Sequence, residues 1–265
     1  MTQPGLLNPR RALSAAALSL LAAACSAPPP AAKRPSFDIQ PIVSEDLLRR
    51  ANHGRTILDA DGRFVLPPRV QRVWIDVGAH LLETTKEELE RSSDLALIAI
   101  EPLEECWKTW PDKTRLLALP VAVSTERGWL DFHVNASNAT SSLLKSVEGN
   151  MVEAMTKTVE VRKVPVLRLQ DVLERIPDVG VQYLKTDVQG HDLQVLKSAG
   201  DQLRRVETVR VEVINAAIYE GSGEWRPGTE TEFVTYMASQ GFDFKGDISV
   251  REGRRWLDKR FVRRP

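Results

Sequence analysis

Cysteine is nearly absent from this sequence: 265 residues contain two, Cys25 and Cys106. Cys25 falls in a leader-like segment, which leaves Cys106 without a partner and excludes a disulfide framework. An excess of charge is also missing. Lys and Arg total 36, as do Asp and Glu, so bulk charge gives no footing for a nucleic-acid partner. The apolar run at 12–24 is too short for a membrane span. The pattern GxGxxG does not occur, which counts against a nicotinamide enzyme, and there is no internal repeat. What is there is ordinary for a globular protein, 42% hydrophobic and 27% charged. The length suits one α/β domain with a sizeable core plus extensions.

Acids are missing altogether from residues 1–37. Arg10 and Arg11 precede the apolar run, which then meets Cys25, as in a secretory signal. Leu21-Ala22-Ala23-Ala24-Cys25 is similar to a bacterial lipobox, in which the cysteine is lipidated, with leucine one position earlier than usual. An organelle transit peptide, also acid-poor, is the competing reading. The Ala/Pro-rich stretch 26–35 reads as a semi-extended tether. The expected organisation is a leader and tether at 1–37, an N-terminal extension at 38–69 and the main domain at 70–265. If the leader is real, the protein is exported or tethered to a membrane through Cys25. If not, it belongs in an organelle or the cytoplasm.

Beyond residue 69, β and α signals alternate. Segment 70–77 is near-continuous and β-branched, as in a parallel strand covered on both faces. Core strands follow at 94–100, 115–124 (interrupted at Pro120), 181–186 and 208–214. Segment 128–134 alternates like a strand with one wet face, and 159–167 is another strand. Helices are predicted at 44–51, 83–91, 103–110, 169–175, 192–204 and 229–240, with closing strands at 242–248 and 255–263. Segment 135–142 carries glycosylation sequons at Asn135 and Asn138 and reads as a plain polar loop. The pattern predicts an α/β fold: a doubly wound, mostly parallel sheet with an antiparallel terminal strand pair.

Chemistry in open α/β sheets collects at the carboxyl ends of strands, and here these ends carry acids. Leu184-Lys185-Thr186-Asp187-Val188-Gln189-Gly190-His191 runs from strand straight into an amphipathic helix. Val73-Trp74-Ile75-Asp76-Val77-Gly78-Ala79-His80 has the same design, and Leu97-Ile98-Ala99-Ile100-Glu101-Pro102 also ends in an acid. Gly78 lets the backbone approach a ligand closely. Glu101 lies roughly 20 residues on, where an acid commonly binds ribose hydroxyls. A strand-end acid also serves as a helix N-cap, but together, at this spacing, these features favour a nucleoside-bearing cofactor.

From about 73 to 263 the chain resembles the FkbM-type S-adenosylmethionine-dependent methyltransferase family. Asp76-Val77-Gly78-Ala79 is similar to its first motif, Ile100-Glu101-Pro102 to its second, and Ala122-Val123-Ser124 with Gly128 to its third. Ser141-Ser142-Leu143 is similar to its serine pair and 184–196 to its long signature; Glu212 and Asp258-Lys259-Arg260-Phe261-Val262 also fit. The resemblance implies a class I methyltransferase fold, with S-adenosylmethionine across the first three strand ends. It implies a hydroxyl acceptor on a small molecule or glycan. Asp76, Gly78 and Glu101 would contact the cofactor, with Ala79 and Val123 beside them from the first and third motifs. Asp187 would face the acceptor. The chain departs from the pattern at His80, Leu82, Gln170, Gln189 and Asp192. A side chain at Leu82 is expected to narrow the cofactor pocket, and Gln189 keeps hydrogen bonding but loses a charge.

Methyl transfer to a hydroxyl needs an in-line approach and a destination for the proton. Asp187 and His191 are the candidates, and histidine is the better base near neutrality. Structural alternatives stand beside both: Asp187 as a helix N-cap, and His191 as a first-turn residue pointing to water. No strong ligand spacing points to a metal. Cys106 is expected to pack inside a helix. The leading reading is an S-adenosylmethionine-dependent O-methyltransferase. The alternative is a non-catalytic, membrane-tethered binding module that retains the fold, as Leu82, Gln189 and the leader suggest.

Overall fold

A computed structural model of the protein describes residues 34–265 apart from 252 and 254. The leader reading, including Cys25, lies outside the described residues. The chain enters through α1 (Glu45–Ala51), capped by the Ser44 hydroxyl, which accepts from the Leu47 N–H. Next come β1 (Arg72–Val77), α2 (Lys86–Arg91), β2 (Leu95–Ile100), α3 (Glu104–Trp107) and β3 (Leu116–Leu119). β4 (Ala122–Val123), β5 (Gly128–Asn135), α4 (Glu153–Thr156), β6 (Thr158–Leu167) and α5 (Leu169–Leu173) follow. β7 (Gly180–Thr186), α6 (Asp192–Lys197), β8 (Val206–Ile214), α7 (Glu230–Ser239), β9 (Phe242–Arg251) and β10 (Trp256–Arg263) complete the chain.

The main sheet has the order β3-β2-β1-β7-β8-β10-β9. Its strands are parallel except β10, which runs antiparallel to both neighbours. This is the doubly wound sheet with an antiparallel terminal pair that the sequence predicts. Every residue of β2 is buried, as a central parallel strand with helices on both faces requires. The strand order turns back at β1, with β2 on one side and β7 on the other, and such a switch point opens a crevice at the carboxyl ends. There the ends of β1 and β7 meet, and the Asp187 N–H donates to the Val77 carbonyl at 3.0 Å.

Two expectations change. The strand expected at 115–124 is two strands in two sheets. Pro120 cannot donate to a ladder; β3 stops before it and pairs with β2, while β4 beyond it joins a separate sheet of order β4-β6-β5. The helix expected at 192–204 ends at Lys197, and a 3-10 turn over Gly200–Arg205 replaces its second half. Gly200, at φ +51°, takes the left-handed conformation that stops a helix. The N-terminal extension at 38–69 packs into the core of the main domain. Ile39, Val43, Leu48, Ile57 and Phe64 share one core with Val73, Ile75 and Leu184. Asn52, 1% exposed, pairs with edge strand β3 as a neighbouring strand would. Its Nδ2 donates to the Ala118 carbonyl and its Oδ1 accepts from the Ala118 N–H, both at 2.8 Å, so the edge is blocked. Among the described residues, no helix is long and apolar enough to cross a membrane.

Candidate active site

A cavity of about 430 Å³ opens at the carboxyl ends of the strands around the switch point, a size typical of small-molecule sites. Gly78, Glu101, Val123, Asp187 and His191 all line it, so residues from distant parts of the sequence do converge. Asp76 and Ala79 do not line it. Asp76 is fully buried and holds Lys185 Nζ at 3.0 Å and the Thr85 hydroxyl at 2.9 Å. Ala79 packs among Leu82, Leu89, Leu97, Trp107 and Trp110. Leu82 belongs to the same apolar cluster, so it does not narrow the cavity as expected. Its φ of +65° turns the side chain into the core.

Gly78 is needed for a different reason from the one its motif suggests. Its φ is +75°, and a Cβ there would stand 2.0 Å from the Asp187 carbonyl oxygen. Glycine therefore lets the ends of β1 and β7 pass each other, which fixes Asp187 relative to the β1 loop. The Lys185 ammonium binds both sides of this crossing, donating to the Gly78 carbonyl at 3.3 Å and standing 3.7 Å from Asp187 Oδ2.

Glu101 closes the β2 end. One carboxylate oxygen accepts from the Leu103 N–H at 3.0 Å and the other from the His80 N–H at 3.1 Å. Each oxygen keeps a further lone pair for hydroxyl donors. Burial pushes its pKa up to about 7 against the pull of those two amides. The folded protein therefore binds more protons than the unfolded chain between the ordinary 4.5 and about 7. Glu101's contribution is full below that window and is lost as pH rises through it, by up to about 3 kcal/mol. Asp192, pushed up to about 7 by burial, acts in the same direction. His191, pushed down to about 4 by burial, acts in the opposite one. Glu101→Gln is expected to flatten the decline in stability of the ligand-free protein from pH 5 to 7.5. Urea unfolding at a series of pH values checks this; an unchanged slope would mean that Glu101 is ionised throughout.

At the other end of the cavity stands Asp187, with 30% of its side chain exposed. Burial would raise its pKa, but the charge of Lys185 and hydrogen bonds from Glu212 and Gln189 bring it below the usual value. It is not the cap of α6. His191 holds that position, and the Asp192 carboxylate ties the turn by accepting from the N–H groups of Val188 and Gly190, both at 3.2 Å. Gln189 donates from Nε2 to Asp187 at 2.9 Å and to Glu212 at 3.0 Å. Ser142 of the serine pair binds the turn, donating to the Gln189 carbonyl at 2.9 Å.

His191 does not point to water; it is fully buried. Its Nε2 lies 3.0 Å from the Ser124 hydroxyl, and its ring packs against Trp225 with centroids 4.8 Å apart. With its pKa pushed down to about 4 by burial, it is neutral at pH 7, and its Nε2 is already engaged by Ser124. Sequence reasoning passed over Lys185, Tyr219 and Arg251 as site residues. A lysine inside a buried parallel strand is itself a signal, because an unpaired charge there is costly. Tyr219 and Arg251 carry no such mark.

The strand order and the cavity over the β1, β2 and β7 ends define a class I S-adenosylmethionine-dependent methyltransferase. Residues 76–244 match the model of the methyltransferase FkbM domain, and the chain belongs to that family. No curated protein matches it. Among solved structures it is similar to the Burkholderia thailandensis 1,6-didemethyltoxoflavin-N1-methyltransferase with bound 1,6-didemethyltoxoflavin and S-adenosylhomocysteine. That similarity has 12% identity and a TM-score of 0.39, over 84% of this chain and 80% of that one. Magnesium protoporphyrin IX methyltransferase from Synechocystis PCC 6803 with bound SAM is similar at 9% identity and a TM-score of 0.37, over 74% and 72%. A fibrillarin/Nop5p complex gives 11% identity and a TM-score of 0.43, over 77% of each chain.

Proposed function

We propose that the protein transfers a methyl group from S-adenosylmethionine to a hydroxyl oxygen of a small-molecule or sugar-type acceptor. The observation that carries this reading is Asp187, a partly exposed carboxylate on the wall of the same cavity that Glu101 lines. The residues present suit the cofactor. Glu101 has lone pairs to spare for ribose hydroxyls, and Val123 and Phe132 offer apolar wall beside it. When bound, S-adenosylmethionine supplies an electrophilic methyl group on a sulfonium. The chain's own part is to hold donor and acceptor in line, which is worth up to about 7–11 kcal/mol, and to receive the acceptor's proton at Asp187. Leu82 and Gln189, which favoured a non-catalytic module, leave the cavity open. Calorimetric titration with S-adenosylmethionine is expected to give saturable binding that weakens at least tenfold in Glu101→Ala, the loss of about 1.5–3 kcal/mol of charge-assisted hydrogen bonding. No binding by the wild type at millimolar ligand would sink the enzyme reading.

The localisation proposal rests on the sequence alone. Residues 1–24 would direct export, and Cys25 would be the lipidated tether. Intact-mass measurement of the mature protein is expected to give a chain that starts at or beyond Cys25. Full-length, unmodified protein in the cytosol would overturn it.

A further inference from the structure

We propose that Asp187 and Glu212 act as a one-proton carboxyl pair, in which Asp187 takes the acceptor's proton and Glu212 and Gln189 position it to do so. This rests on the hydroxyl-methylation reading above.

The two carboxylates meet at one amide nitrogen: Gln189 Nε2 donates to Asp187 at 2.9 Å and to Glu212 at 3.0 Å. Two full negative charges this close repel, and one proton held by the pair removes one of them. Gln189 fixes the pair from the side. An ionised carboxylate only accepts, so the amide nitrogen faces the acids and donates to both, while Oε1 lies 3.0 Å from the Tyr219 hydroxyl, which also reaches the Thr140 carbonyl at 2.7 Å. Its backbone is held in the left-handed region at φ +58°. An acid at this position would bring a third carboxylate into contact with the pair; the amide instead supplies a donor.

The two acids differ in access. Asp187 is a partly exposed wall of the cavity, whereas the Glu212 side chain is 3% exposed beneath Arg251, whose guanidinium donates to it at 2.7 Å. Other ionisable groups that face the pair are Lys185 on β7, Asp192 on α6 and Tyr219 after β8, with Asp258 on β10 reached at 4.0 Å through Arg251. Burial and the charges of Asp187 and Asp192 raise Glu212 well above the carboxylate range, while Lys185 leads the effects that lower Asp187. The resting proton therefore sits on Glu212, and the open carboxylate is the ionised one.

During transfer the acceptor oxygen forms its bond to the methyl carbon as the carbon–sulfur bond breaks, and sulfur keeps that electron pair as a neutral thioether. The hydroxyl proton passes to Asp187 and leaves to water after product release. Glu212 does not touch the reacting atoms; it is a positioning residue that limits the pair to one negative charge.

Infrared difference spectra of ligand-free wild type minus Glu212→Gln are expected to show a protonated-carboxyl band at pH 7. A featureless difference in that region overturns the pair, whatever the reaction. In turnover, Glu212→Gln keeps an amide donor for Asp187. Glu212→Ala is expected to lower kcat about tenfold further than Glu212→Gln, the worth of one charge-assisted hydrogen bond. Wild-type kcat is expected to fall at high pH as Glu212 loses its proton, and both variants should lose that inflection. Equal kcat values and unchanged profiles overturn the positioning role. A carboxyl band with methylation at a non-hydroxyl atom overturns the hydroxyl reading and the assigned proton transfer, while the pair itself stands.

Discussion

Asp187→Asn is expected to lower kcat by about 10²–10⁴-fold, the range for loss of a general base, while changing the Kd for S-adenosylmethionine by less than about threefold, well under 1.4 kcal/mol. Asparagine keeps the size of the side chain and an oxygen that can accept from Gln189, so the β7 turn survives and only the charge is removed. On the proposed reading the cofactor's ribose end lies at Glu101, just after β2, and is not disturbed. His191→Ala is the contrasting case. A buried imidazole with its pKa near 4 is neutral across the physiological range. Any step in the rate near the ordinary histidine value of about 6.5 should therefore survive in His191→Ala, since Glu101 and Asp192 titrate near 7. Single-turnover measurements across pH, with the acceptor in hand, check both. If Asp187→Asn turns over at the wild-type rate, the proton leaves by another route and positioning alone carries the acceleration.

Much of this site was legible because of how a parallel sheet is built. All strands of the doubly wound part deliver their carboxyl ends to one edge, so an acid at the end of a buried run is placed there before any contact is known. Glu101 and Asp187 were found in this way. Asp76 has the same motif context but precedes Val77, and side chains alternate faces along a strand. That single step puts Val77 on the cavity and Asp76 beneath it against Lys185, 109 positions away in sequence. The second sheet is not legible in the sequence because the apolar run around Pro120 is continuous in hydropathy, and only the missing N–H divides it. Gln189, Glu212, Tyr219 and Arg251 meet from separate segments, and local periodicity does not encode such a meeting. The serine pair is intermediate: its motif was visible, but the hold of Ser142 on the Gln189 turn required the fold.

Lys185→Met is expected to cost about 3–5 kcal/mol of stability, the range for removing one partner of a buried ion pair. The ammonium is nearly inaccessible, with 6% of its side chain exposed against 1% for Asp76. Burial opposes its charge, but Asp76 and Asp187 outweigh that and raise its pKa. Without it, Asp76 keeps only the Thr85 hydroxyl as a hydrogen-bond partner and must either stay charged in the core or take up a proton. Adding Asp76→Asn to Lys185→Met should therefore restore part of the loss, and a double-mutant cycle in urea measures the coupling directly. The same cycle decides what Asp76 is for. As the buried strut beneath the β1–β7 crossing, it should lose stability when changed to Asn, with the folded fraction still binding S-adenosylmethionine. As a cofactor contact, the role its motif implies, it should lose affinity at unchanged stability. The second result would return Asp76 to the ligand and require the β1 end to open on cofactor binding. The 3.0 Å contact to Lys185 favours the first.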